Sequence, residues 1–158
     1  MQSLRAAFRR RTPIFLKPYE FSTNVFGLRC RYYSQVRHNG ALTDLEYHRV
    51  ADDTLDVLND TFEDLLEEVG KKDYDIQYAN GVITLMLGEK GTYVINKQPP
   101  AHQIWLSSPV SGPKHYEYSL KSKTWCSTRD EGTLLGILSS EFSKWFSRPI
   151  EFKKSEDF

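Results

Sequence analysis

The chain has 158 residues, 39% of them hydrophobic and 27% charged, enough for one domain of ordinary size with its own core. Its zero formal charge divides unevenly: residues 1–40 hold eight Lys or Arg and one acid, Glu20 (8 − 1 = +7), whereas residues 41–158 hold thirteen bases and twenty acids (13 − 20 = −7). An acidic folded part argues against nucleic acid as its partner, and no apolar run approaches the ~20 residues that cross a bilayer.

The basic segment reads as a mitochondrial transit peptide over residues 1–33. MQSLRAAFRRR is rich in Arg and poor in acids, and Leu4, Ala7 and Phe8 can share a helical face. Arg31, two residues before Tyr33 and followed by Ser34, resembles a matrix-peptidase cleavage site. A polar linker over residues 34–41 follows. Cys30 would leave with the basic segment, and Cys126 would remain as a lone structural thiol without an internal disulfide.

Thr43 and Glu46 form a T-x-x-E capping box, with Leu42 and Tyr47 as its hydrophobic staple. Apolar residues at Val50/Ala51, Leu55, Leu58, Phe62, Leu65/Leu66 and Val69 predict an amphipathic helix over roughly 43–69, stopped by Gly70. Strand signals follow. DYDIQYA and VITLMLG flank Asn80-Gly81, a hairpin dipeptide. TYVINKQ, then Pro99-Pro100, leads into HQIWLSS, and KHYEYSL and KTWCST read as two shorter strands. Connections this short require an antiparallel sheet. A second helix is predicted over about 133–147, ended by Pro149. The fold class is α+β, a two-layer sandwich with two helices on one face of about six antiparallel strands. The domain should run over 42–152, with a short tail at 153–158.

Two features exceed what folding requires. In HQIWLSS, if Ile104 and Leu106 enter the core, Trp105 shares the outer face with Gln103 and Ser107. An aromatic there, among polar neighbours, suits a binding anchor. The first helix holds ten acids against one Arg, Arg49. Asp52, Asp56, Asp60, Asp64 and Glu68 recur every four residues, and Asp53, Asp56, Asp60, Glu63 and Glu67 line an adjacent track. Such like-charge pairs each cost ~0.2–0.5 kcal/mol. This is either a solvating face or a surface for cations or a basic partner. Carboxylates suit hard or borderline ions, and His48 stands four residues from both Asp44 and Asp52. With no EF-hand, H-E-x-x-H or Cys-rich pattern, a metal site here would be open and weak.

GTYVINKQ and QIWLSSP followed by SGPK, after an acidic first helix and DYD, resemble the frataxin family over about residues 42–148. The resemblance implies the same sandwich and a mitochondrial matrix protein. It implies weak, reversible Fe(II) binding on an acidic ridge, with no organic cofactor. It further implies docking on a complex of cysteine desulfurase and iron–sulfur scaffold protein, accelerating persulfide transfer to the scaffold. Carried over by position, the ridge is Asp52, Asp53, Asp56, Asp60, Glu63 and Asp64, with Asp73 and Asp75 on the first strand, and Asp44 and His48 beside it. The partner surface is Asn96, Lys97, Gln98, Gln103 and Trp105, extended by Lys114 and His115. His115 stands where Arg is common and His48 where an acid is common. The tail after Pro149 is short, which implies modest stability. The second functional reading is an iron chaperone or weak ferroxidase on the acidic helix, and the third a generic acidic interaction domain. A monomer is expected, with metal-driven oligomers as the alternative.

Overall fold

The computed structural model describes residues 42–152 and Lys154. The expected transit peptide and linker, over residues 1–41, and most of the tail lie outside the described residues. Helix α1 spans Asp44–Val69 and helix α2 spans Leu134–Phe146. Between them run β1 (Tyr74–Ala79), β2 (Val82–Leu87), β3 (Thr92–Gln98), β4 (Gln103–Ser108), β5 (Gly112–Ser119) and β6 (Thr124–Ser127). The six strands form one sheet in the order β1-β2-β3-β4-β5-β6, and every pair is antiparallel. The expected α+β sandwich is therefore the fold.

The start of α1 is built as its sequence dictates. The Thr43 hydroxyl accepts from the Glu46 amide at 3.3 Å, and the Glu46 carboxylate accepts from the Thr43 amide at 2.8 Å. That acceptance from the Thr43 backbone and then from its hydroxyl holds the Glu46 carboxyl below its ordinary pKa. Removing the Thr43 hydroxyl leaves the Glu46 amide to water. Thr43→Ala should lower unfolding stability by ~1 kcal/mol in a urea titration. An unchanged midpoint would show that tertiary packing alone holds the helix start. Gly70, at φ 61°, closes the helix by donating its amide to the Leu66 carbonyl at 2.9 Å.

Asn80 and Gly81 both take positive φ, 53° and 73°, as a two-residue hairpin turn requires. Gly81 is needed twice: a Cβ there would lie 2.8 Å from Cε of Lys97, which crosses over it. KHYEYSL belongs to the longest strand rather than a short one, because Gly112 and Pro113 join the ladder opposite Ser108 and Ser107. α2 ends at Ser147 in the left-handed conformation, two residues before Pro149. Lys90 caps it, donating to the Trp145 carbonyl at 2.7 Å with its ammonium 4.4 Å from the Phe146 ring centre.

The core lies between the helices and one sheet face. Tyr47, Leu55, Leu58 and Phe62 of α1 and Leu134, Leu138 and Phe142 of α2 meet Ile83, Leu85, Ile95, Ile104, Leu106 and Tyr116, all at most 1% exposed. Burial pushes Tyr47 and Tyr93 up to about 12. Glu141 is also inside, 3% exposed. It accepts from Tyr93 at 2.9 Å and from Ser108 at 2.6 Å, which satisfies one carboxylate oxygen. The segment after Pro149 packs against the core. Ile150 and Phe152 are buried, and the Phe152 ring lies 5.3 Å from Phe62 and 5.4 Å from Phe142. Short as it is, the segment after Pro149 seals the seam between the helices.

Candidate functional site: an acidic ridge and an aromatic sheet face

The sheet pleat sorts the expected site residues. On β3 and β4, Tyr93, Ile95, Ile104 and Leu106 turn toward the helices, so Asn96, Gln98, Gln103 and Trp105 turn away. Asn96 pairs with Trp105 and Trp105 with His115 in register, and Gln98 pairs with Gln103 and Gln103 with Glu117. Asn96, Gln98, Gln103, Trp105 and His115 thus share the outer face. Lys97 and Lys114 do not. Lys97 stands opposite Ile104 and Lys114 opposite Leu106, on the helix side. Lys97 pairs there with Asp52, and Lys114 with Asp130 in the segment before α2. The Lys114 ammonium and then the Ser127 hydroxyl, by hydrogen bonding, hold the Asp130 carboxyl below its ordinary pKa. Adjacent residues on a strand cannot share a face, which is why the NKQ triplet splits.

Trp105 is half-buried, and what covers it is a neighbour on the same face. Its ring stacks on His115 with centres 4.3 Å apart and planes 13° apart. Its indole N–H donates to Gln103 Oε1 at 2.8 Å, and Gln103 Nε2 donates to Glu117 Oε1 at 3.0 Å. Glu117, which the sequence reading missed, completes this relay.

The ridge is also partly rearranged. Asp56, Asp60, Glu63 and Asp64 lie exposed along α1, and Asp52 and Asp53, just before them on the helix, are half-buried. Asp52 is engaged by Lys97, and Tyr78 bonds Asp56. Burial, then that hydrogen bond and the charges of Asp56 and Asp52, push Tyr78 up to about 12. Asp44 does not join His48. It meets His102 Nε2 at 2.6 Å, and His48 sits edge-on to Tyr47. Asp73 lies in the turn before β1, its carboxylate against Gly88, where a Cβ would fall 2.1 Å away. Asp75 stands opposite Met86 on the outer face, away from the ridge. Among the described residues no three His, Cys, Asp or Glu side chains converge as a metal cluster. The donor set is a row of separate carboxylates, which suits a hard or borderline cation held with much of its water.

Cys126 is buried and disulfide-bonded, not a free thiol. The expectation of a lone thiol was made for a chain cut after residue 33. Among the described residues no helix is long and apolar enough to cross a membrane.

A frataxin-like domain model matches residues 40–148. Mitochondrial frataxin of Arabidopsis thaliana is 38% identical over 75% of this chain and 63% of its own length. The mitochondrial frataxin homologue of Drosophila melanogaster is 46% identical over 63% of this chain and 51% of its own. The chain thus spans between half and two thirds of these relatives' length. A trimeric yeast frataxin structure, complexed with ferrous iron, superposes with a TM-score of 0.55 at 38% identity, covering 75% of this chain and 98% of that one. Frataxin from Psychromonas ingrahamii superposes with a TM-score of 0.54 at 28% identity, over 72% of this chain and all of that one.

Proposed function

The chain belongs to the frataxin family, and from that premise we propose that it is a mitochondrial matrix protein that activates iron–sulfur cluster assembly by docking. Its outer sheet face binds a complex of cysteine desulfurase and scaffold protein and speeds persulfide transfer to the scaffold. The observation that carries this reading is Trp105, a large aromatic held half-open on the solvent face by His115 and Gln103. A side chain pre-set by its neighbours loses little entropy on binding, as an interface anchor should. Supplying this protein to purified desulfurase, scaffold and Fe(II) should raise the rate of scaffold persulfide formation. An unchanged rate, with the protein folded, would overturn the docking reading.

The ridge binds Fe(II) weakly and reversibly, as cargo or docking charge. The ferrous complex of yeast frataxin supports this part. Open carboxylates keep most of the ion's hydration, so affinity should fall with salt. Converting Asp52, Asp53 and Asp56 together to Asn should weaken Fe(II) binding in anaerobic calorimetry by ~10-fold or more, the loss of three attractive charges. Retained affinity would move the metal off this helix.

A further inference from the structure

Outward-facing strand positions can be read across the whole sheet from its register. Two of them carry charge, Asp75 on β1 and Glu117 on β5, and among the described strand residues none facing outward is Lys or Arg. The two lysines expected there from the sequence, Lys97 and Lys114, turn to the other side and are paired with Asp52 and Asp130. The strands therefore present a slightly acidic outer face without Lys or Arg.

The polar groups beside Trp105 are committed in one direction. The indole N–H goes to Gln103 Oε1 and the Gln103 amide N–H goes to Glu117 Oε1. Gln103 is the one hydrogen-bond partner of Glu117 among the described residues, and Glu117 is exposed. Its second oxygen is left toward solvent. What the patch offers a partner beside the indole is a carboxylate acceptor and an aromatic pair. Glu117 and His115 are two residues apart on one face of β5, about 7 Å. That is within the reach of one long side chain.

A guanidinium matches both groups. Its N–H fork pairs with a carboxylate and its plane lies against aromatic rings, which an ammonium does less well. We propose that the outer sheet face receives an arginine side chain of the docked protein, paired with Glu117 and laid against the Trp105–His115 stack. Glu117 is thus a specificity-determining residue of the docking surface. This deepens the docking proposal and rests on it.

The test measures binding of the full chain to immobilised desulfurase–scaffold complex by biolayer interferometry. Glu117→Gln should raise Kd by ~10-fold, and Glu117→Arg by ~100-fold or more, since a charge is then set against a charge. Glu89→Gln, which removes an exposed acid from the turn between β2 and β3, should bind as wild type. Thermal unfolding of each variant should match wild type. If Trp105→Ala loses binding while Glu117→Arg keeps it, docking stands and arginine recognition falls. An equal loss in Glu89→Gln would reduce the effect to bulk charge and overturn the proposal. Wild-type binding by both Trp105→Ala and Glu117→Arg would overturn the docking face itself.

Discussion

Trp105→Ala is expected to weaken binding to the desulfurase–scaffold complex by ~30-fold or more, the ~2 kcal/mol typical of a buried aromatic anchor, while the protein stays folded. The separation follows from where the ring sits. Trp105 is half-buried on the outer face and packs on His115, so its loss removes one aromatic pair, ~0.5–1.5 kcal/mol of stability. The freed Gln103 oxygen turns to water. Trp125 supplies the contrast. It is 2% exposed, packs edge-on to Tyr47 and Tyr118, and donates to Thr54 at 2.9 Å. Trp125→Ala should cost ~3–5 kcal/mol and depress activity only by unfolding the protein. Persulfide transfer and circular dichroism, measured together, separate the two. If Trp105→Ala unfolds like Trp125→Ala, the indole is structural and the anchor assignment fails. If it is folded and fully active, docking lies elsewhere.

Truncation after Pro149 should cost the domain ~3–6 kcal/mol, the burial of two apolar side chains at ~1.5–3 kcal/mol each. Total stabilities of ~5–15 kcal/mol make that a large fraction. Both side chains are tied to named partners. Phe152 packs in the ring cluster with Phe62 and Phe142, and its amide donates to Ser139 Oγ at 3.3 Å. Ile150 is buried beside it, and its amide donates to Ser143 Oγ at 2.9 Å. Phe152→Ala alone should show about half the effect, because Ile150 remains. Urea unfolding midpoints of the three proteins provide the check. A truncated protein with the wild-type midpoint would mean that the seam between the helices is sealed without the tail.

The helices and the hairpins were legible because each has a local cause. The Thr43 box, the Gly70 stop and the Asn80-Gly81 turn are written within a few residues of where they act. What was not legible depends on pairing across the chain. Alternation shows that Lys97 and Gln98 face opposite ways, but a family signature read as one block obscured it. Glu117 became part of the site through its register with Gln103, fourteen residues earlier. Glu141 had a signal that was passed over. It stands at a core position of α2, three residues after Leu138 and beside Phe142, where a carboxylate must find buried partners. Tyr93 and Ser108 are those partners, and neither is near in sequence.

The strand order β1-β2-β3-β4-β5-β6 has a kinetic meaning. Every ladder of the sheet joins strands that are neighbours in the chain, so each can zip from its own turn with little loop to close. Among the most distant pairings are those of the first helix with the last described segment, where Phe62 meets Phe152 and Glu68 meets Arg148. A meander that assembles from local hairpins and is then clasped by its two ends should fold quickly for a β-rich protein. Its first route of opening is to release that clasp, while the sheet that carries Trp105 stays intact.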